Sequence, residues 1–253
     1  MESEKKAGNY ILEICSSSPT SAIAAQAGGA SRIEFCQNLE SGGLTPTHAQ
    51  IKIVREQLDI GIFVLIRPRS GNFIYSDLEV EEMIHDIQYC ADSGCDGVVI
   101  GALNEHGDVH KLHMQRLIKA AGSMQVVFHR AFDLCRNPLE ALETIIELGC
   151  VRILTSGQKQ TAWEGRMLIQ ELIRQAGDRI EIMPGSGVDE SNIEELIHVT
   201  KAKSIHTSAK TVQKSSAIFK NLDINGMDEP QTFTSKDRVR ELVQILKRIS
   251  IDK

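Results

Sequence analysis

The sequence predicts a (β/α)8 TIM barrel, formed as a single domain by residues 1–253. Eight short apolar runs rich in Ile, Val or Phe alternate with longer stretches whose apolar residues recur at helical spacing. A joint of helix, glycine, small residue and strand recurs at Gly29, Gly94 and Gly149. The length of 253 residues fits a closed eight-stranded barrel better than a doubly wound open sheet.

Each apolar run has the length of one buried strand and is bounded by turn or helix signals. In chain order, the predicted strands are residues 11–15, 32–36, 62–67, 97–101, 126–130, 152–155, 180–183 and 204–208. Because barrel proteins carry their chemistry at the carboxyl ends of the strands, the residues at these ends are the candidate site.

Helices are predicted after most strands, most clearly over residues 77–93 and 138–148. The second of these opens with a proline, which the first helical turn accepts. Gly94 and Gly149 follow the two helices directly, and glycine accepts the left-handed conformation that ends a helix. A last helix is predicted over residues 236–249.

Residues 211–235 break this alternation, being polar and without a clear strand. They are expected to form a long loop after the eighth strand. Loops of such length are usually functional or disordered, so two interpretations stay open. The segment is either a mobile cover for the barrel mouth or a slack connection to the last helix.

The composition is that of one globular domain, with 42% hydrophobic and 25% charged residues. A net charge of −6 argues against a broad nucleic-acid interface, which needs clustered Lys and Arg. Residues 1–9 lack the apolar stretch of a signal peptide, and no apolar run approaches the roughly 18 residues of a membrane span. We therefore expect a cytoplasmic protein without nucleic-acid or membrane partners, whose six cysteines are reduced thiols.

The first two strands each carry a Glu-x-Cys pair. Side chains of a strand alternate between two faces, so Glu13 and Cys15 share one face, as do Glu34 and Cys36. Leu12, Ile14, Ile33 and Phe35 form the natural helix-facing set, which directs both pairs into the lumen. The same reasoning adds Arg67, His129 and His206 from the ends of other strands.

This set of side chains is typical of proton-transfer chemistry on an anionic substrate. Arg67 or Arg69 could hold a carboxylate or phosphate by two hydrogen bonds, while His129 or a glutamate moves a proton. The alternative is a buried polar network in which the charges only neutralise one another.

A glycine-rich turn, Gly185-Ser186-Gly187, follows the seventh strand, and His206 lies in the eighth. Such turns present backbone N–H groups, and barrel loops after strands seven and eight often bind phosphate. A tight strand-to-helix connection is the alternative explanation.

Two cysteines, Cys15 and Cys36, are candidate ligands of a soft ion such as copper(I), which prefers sulfur. The alternative is burial for packing alone, which is common for cysteine. Zinc has no support, since neither Cys-x-x-Cys nor His-Glu-x-x-His occurs. Cys95 and Cys150 follow the joint glycines at the opposite end of the barrel and are interpreted as structural.

From about Leu12 to Ala209 the chain resembles the CutC copper homeostasis protein family. The resemblance is carried by Glu13-Ile14-Cys15, Ile66-Arg67-Pro68-Arg69, Phe128-His129-Arg130-Ala131-Phe132-Asp133 and Met183-Pro184-Gly185, with further stretches at 28–36, 42–46, 73–77 and 153–157. It implies a cytoplasmic, usually oligomeric barrel linked to copper handling, with copper(I) proposed for positions matching Cys15 and Cys36. The chain departs from the family's three successive glycines at Ser186 and from its paired glycines at Ser70.

The sequence thus predicts a copper(I)-binding barrel and, as the alternative, an enzyme of acid/base type acting on a small anion at the carboxyl mouth. Candidate catalytic residues are Glu13, Glu34, Arg67, His129 and Asp133; candidate anion-binding residues are Arg69, Arg130, Ser156, Gly185, Ser186, Gly187 and His206; candidate metal ligands are Cys15 and Cys36.

Overall fold

Eight parallel strands form the barrel in a computed structural model that describes residues 6–214, 216–219 and 230–251. The barrel strands are β1 (Ile11–Ser16), β2 (Arg32–Phe35), β3 (Gly61–Leu65), β4 (Gly97–Ile100), β5 (Gln125–Phe128), β6 (Arg152–Thr155), β7 (Glu181–Pro184) and β8 (Ser204–Thr207). Parallel pairing runs from β7 through β1 to β8, and β7 and β8 lie side by side at the remaining seam. The predicted TIM barrel is confirmed.

Helices alternate with the strands around the outside of the barrel. They are α1 (Pro19–Gly28), α2 (His48–Gln57), α3 (Asp77–Asp92), α4 (Lys111–Ala121), α5 (Pro138–Glu147), α6 (Arg166–Ala176), α7 (Ile193–Thr200) and α8 (Lys236–Ile251). The joint glycines Gly29, Gly94 and Gly149 all have positive φ, at 100°, 74° and 86°, as the repeated pattern predicts. Within the described residues, no helix is long and apolar enough to cross a membrane.

Two apolar cores result from the alternation of side chains along each strand. Leu12, Ile14, Ile33 and Phe35 belong to the large core between strands and helices, as predicted. Cys15 and Cys36 lie in a smaller cluster in the lumen, with Phe63, Leu65, Val99 and Val127. The lumen beneath the two thiols is therefore packed rather than open.

The predicted loop at 211–235 is wrong at both of its ends. Strands β9 (Lys210–Gln213) and β10 (Gln231–Thr234) pair antiparallel, with Val212 opposite Thr232. Short Thr-, Val- and Phe-containing segments support a two-stranded ribbon, although the polar residues between them hide the pattern. The backbone N–H of Thr234 donates to Ser21 Oγ at 3.1 Å, which ties the ribbon to α1. Residues 215 and 220–229 of this prediction lie outside the described residues.

Candidate functional site

A cavity of about 430 Å³ opens at the carboxyl ends of the barrel strands. It is lined by these predicted site residues: Cys15, Glu34, Cys36, Arg67, His129, Arg130, Ser186, Gly187 and His206. Five other predicted site residues do not line it: Glu13, Arg69, Asp133, Ser156 and Gly185. The cavity also receives residues that strand patterns do not indicate, among them Phe73, Lys210 and Arg238.

The two cysteine sulfurs meet at the wall of this cavity. Cys15 Sγ lies 3.7 Å from Cys36 Sγ, and both side chains are buried. One potential ligand atom each from Cys15, Glu34 and His206 lies within 4.8 Å of the other two. The hydrogen bond with Cys36, together with burial and the nearby Glu34 carboxylate, raises the pKa of the Cys15 thiol well above its usual range.

Glu13 lies beneath the cavity, where it fixes the His206 ring. Its carboxylate is 2.5 Å from Arg32 Nε and 2.9 Å from His206 Nδ1. Burial alone would raise the pKa of Glu13, but Arg32, His206 and Arg152 outweigh burial and lower it. An ionised carboxylate only accepts hydrogen bonds, so His206 Nδ1 carries the hydrogen and Nε2 is directed toward Glu34, 3.5 Å away.

Glu34 and His206 are the titratable pair facing the thiols. Burial raises the pKa of Glu34, and the charge of Glu13 adds to this effect. Burial pulls the pKa of His206 down, but Glu34, Cys15 and Glu13 outweigh it and the pKa is raised. A buried acid beside an imidazolium can exchange a proton with a bound molecule, which is the chemistry predicted for this mouth.

Arg67 brings positive charge into the cavity from the loop after β3. Its Nη1 donates to the carbonyls of Ser41 and Gly43, each at 3.0 Å, and its Nη2 donates to that of Gly71 at 2.8 Å. The guanidinium also lies over the Phe73 ring, 4.9 Å from its centroid. Arg67 therefore links two loops through backbone carbonyl oxygens. Because these acceptors are neutral, they do not balance the positive charge of the guanidinium.

His129 is a neutral hydrogen-bond donor rather than a ready base. Its Nδ1 accepts from the backbone N–H of Ala131 at 3.1 Å, so Nε2 carries the hydrogen. Burial and the charge of Arg67 lower the pKa of His129 to about 3. Among the described residues, none accepts a hydrogen bond from Nε2. The proton-transfer role of His129 stays a prediction, and its surroundings favour donation.

Side-chain hydrogen bonds that hold loops in place involve four other predicted site residues: Arg69, Arg130, Asp133 and Ser156. Asp133 accepts from Arg130 Nε at 2.8 Å and from Ser156 Oγ at 2.9 Å, which joins the loops after β5 and β6. Arg69 pairs with Glu79 at the start of α3 and does not line the cavity. These contacts hold loops in position, and the catalytic role of Asp133 and the anion-binding role of Arg69 stay predictions.

A charged layer beneath Glu13 was not predicted. Arg152 Nε lies 2.5 Å from Glu181, while Arg32 contacts both Glu13 and Glu181. Both arginines also lie over the Phe63 ring, at 5.7 and 5.0 Å. The sequence pattern does indicate Arg32, because it lies two residues before Glu34 on the second strand and therefore shares its face.

The fold and the cavity define a (β/α)8-barrel protein whose thiols, carboxylate and imidazole meet at the carboxyl ends of β1, β2 and β8. The model of the CutC family matches residues 10–211, and the chain belongs to that family. A CutC family protein of Xylella fastidiosa (strain Temecula1) is 45% identical over 235 residues, which cover 93% of this chain and 88% of that protein. One from Parabacteroides distasonis is 46% identical over 215 residues, covering 85% of this chain and 88% of that protein.

Solved structures agree with this assignment. The crystal structure described as that of a copper homeostasis protein CutC from Streptococcus agalactiae has a TM-score of 0.76 and 32% identity, covering 79% of this chain and 98% of that one. A thiamine phosphate pyrophosphorylase from Pyrococcus furiosus has a TM-score of 0.60 at 13% identity, covering 96% of this chain and 98% of that one. The second likeness supports the barrel fold alone.

Proposed function

We propose that this protein binds copper(I) between Cys15 and Cys36 and serves copper homeostasis in the cytoplasm. The observation that carries the proposal is the pair of buried sulfurs, 3.7 Å apart, at the wall of a cavity. Thiolates are the ligands that copper(I) prefers. A metal bonded to sulfur at about 2.3 Å, as zinc is, can reach both atoms at once.

The strand register favours a shared ion over a disulfide. Cys15 lies opposite Glu34, so Cys36 is two residues further along the neighbouring strand. That offset corresponds to a Cα separation of about 8 Å, from strands roughly 4.8 Å apart and a rise of roughly 3.3 Å per residue. Unstrained disulfides need about 4.4–6.8 Å. The thiols thus stay available, and all six cysteines are free, as a reducing compartment requires.

Two neighbouring groups fit the same ion. His206 Nε2 and the Glu34 carboxylate face Cys15, and Glu13 holds the imidazole in orientation from below. A metal-bound histidine commonly has its other ring nitrogen bonded to a carboxylate, which raises its basicity. His206 is the one of the two that offers nitrogen to a soft ion.

Copper(I) uptake in cysteine variants tests the proposal. We expect about one ion per chain in the unaltered protein and almost none in the Cys15→Ser, Cys36→Ser double variant, because serine oxygen is a poor ligand for copper(I). Uptake is measured against a competing copper(I) chelator under anaerobic conditions. Cys150→Ser is the matched control, since Cys150 is equally buried but does not line the cavity. Uptake that survives in the double variant excludes the thiol pair as the site.

Acid/base catalysis on a small anion is the alternative, and it stays a prediction. Glu34 beside His206 is the observation that favours it, because that carboxyl combines a raised pKa with a position on the cavity wall. The oligomeric state implied by the family resemblance also stays a prediction, to be measured by light scattering.

A further inference from the structure

The turn after β7, at residues 185–188, carries unpaired backbone donors. Within the described residues, no acceptor lies within hydrogen-bond range of the N–H groups of Ser186, Gly187 or Val188. All three residues line the cavity. Backbone N–H groups in folded proteins are nearly always paired with protein, water or a ligand. Ser186 is half-buried and Gly187 is exposed, so these donors are open to water or to a ligand that enters the cavity.

The neighbouring carbonyls indicate the direction of two of these donors. The carbonyl of Ser186 accepts from the Ala162 N–H at 2.9 Å, and that of Gly187 accepts from Asn192 Nδ2 at 2.8 Å. Neither Ala162 nor Asn192 lines the cavity. In a trans peptide the C=O and the next N–H point in opposite directions. The N–H groups of Gly187 and Val188 thus face away from Ala162 and Asn192, toward the cavity.

Two of the positive charges at the cavity have no carboxylate partner. Arg67 is only 6% exposed, and in the described part of the chain neither Arg67 nor Lys210 forms an ion pair. The other two basic side chains at the cavity are already neutralised: Arg130 pairs with Asp133, and Arg238 pairs with Glu190. A buried charge without a counter-charge is costly, so an anionic ligand would be strongly favoured here.

The acidic groups that line the same cavity are held by other partners. Asp189 accepts from the backbone N–H and hydroxyl of Ser191, at 2.9 and 2.5 Å. Glu34 faces His206 at 3.5 Å. His206 offsets the charge of Glu34, whereas the neutral donors of Ser191 leave the charge of Asp189 in place. Within the described residues, two unpaired cations, Arg67 and Lys210, therefore face one unpaired carboxylate at this cavity.

We propose that the 185–188 turn binds the phosphate group of a small phosphorylated molecule, with Arg67 and Lys210 supplying positive charge and the rest of the molecule filling the cavity. Phosphate suits this wall because its oxygens accept several N–H bonds at once. The volume of about 430 Å³ lies in the range of small-molecule sites, which span about 300–1,000 Å³, and far exceeds the need of one metal ion. The proposal is independent of copper binding.

Amide NMR tests this site without any substitution. ¹⁵N-labelled protein is titrated with inorganic phosphate, glycerol 3-phosphate and acetate. We expect saturable shifts of the Gly187 and Val188 amides with both phosphates, larger and at lower concentration for the ester, because it also fills the cavity. Shifts confined to other residues, or acetate binding as tightly as phosphate, would overturn the proposal. Binding of inorganic phosphate without any gain for the ester would reveal an adventitious ion only and overturn it as well.

Variants separate charge from structural effects. Lys210→Met should weaken glycerol 3-phosphate binding about threefold to fivefold, as expected for an exposed charge. Lys203→Met is the matched control, because this exposed lysine lies at the opposite end of the barrel and should change nothing. Arg67→Met should weaken binding at least tenfold, if the variant folds. Equal affinity in Lys210→Met and Lys203→Met, with unshifted amides, contradicts the assignment. Phosphate binding is measured without copper and copper(I) uptake without phosphate, so failure of one proposal leaves the other testable.

Discussion

Glu13→Gln should lower the free energy of unfolding by about 3–5 kcal/mol, the usual cost of breaking a buried ion pair from one side. Arg32 is fully buried and loses the negative charge 2.5 Å from its Nε. Arg32 and His206 now use one carboxylate oxygen each, whereas glutamine offers a single acceptor oxygen, so one of the two donors loses its acceptor. A typical total stability is about 5–15 kcal/mol, so the variant should be close to unfolding at moderate temperature. Chemical denaturation followed by circular dichroism measures the difference.

Glu143→Gln is the matched control for this substitution. Glu143 also pairs with an arginine, Arg179, at 2.6 Å, but both side chains are roughly half exposed. Exposed pairs contribute little because water screens them, so the effect should be far smaller than that of Glu13→Gln. Equal losses of unfolding free energy in the two variants would show that burial does not increase the contribution of the Glu13 carboxylate to stability.

The lowered pKa of Glu13 predicts how the free energy of unfolding depends on pH. The folded pKa of Glu13 lies below its ordinary value of 4.5, so its contribution is fully present above that pH and disappears as the pH falls toward the folded value. The difference between the unaltered protein and Glu13→Gln should therefore shrink steadily below about pH 4.5. Denaturation midpoints at a series of pH values measure it, and a constant difference down to about pH 2 contradicts the shifted pKa.

Gly165→Ala should cost about 3 kcal/mol, at the upper end for overpacking, because two stretches of backbone cross at this residue. A methyl group on Gly165 would fall on the carbonyl oxygen of Ser156 and lie 2.8 Å from Gly157 Cα. Backbone atoms cannot move aside as a flexible side chain can. The loop after β6 would shift, and with it the hydrogen bond from Ser156 to Asp133.

Gly61→Ala controls for the general effect of adding a methyl group. Its nearest neighbours would be Arg32 Cβ at 3.4 Å and Phe63 Cε2 at 3.6 Å, which is ordinary contact. A change within about 1 kcal/mol is expected. Thermal unfolding of the two variants measures the contrast, and a Gly165→Ala variant as stable as Gly61→Ala would show that the crossing relaxes easily.

Strand periodicity predicted most of the fold and part of the candidate site. The two-residue repeat placed Cys15 and Cys36 together correctly, because a closed barrel has only one interior face. It could not separate Glu13, which lies under the cavity, from Glu34, which lines it. That difference arises from the stagger of neighbouring strands, which register alone sets and which no single strand encodes.

Other site features depend on contacts that sequence spacing does not contain. Arg238 reaches the cavity from the first turn of α8, after a long connection. Arg67 is a predicted anion ligand, but the sequence does not reveal that three carbonyls from two loops fix its position. The ribbon of β9 and β10 pairs segments that are distant in sequence, so local propensity was too weak to reveal it.

The charged layer around Arg32 and Phe63 plugs the barrel just below the thiols, since both side chains are almost completely buried. In the described part of the chain, the cavity that reaches Cys15 opens at the mouth lined by Ser186, Gly187 and Lys210. If copper(I) and a phosphorylated molecule bind as proposed above, the molecule at the rim lies between the sulfurs and solvent, so the ion leaves after it. The shape of the barrel interior would then set the order in which the two ligands bind and leave.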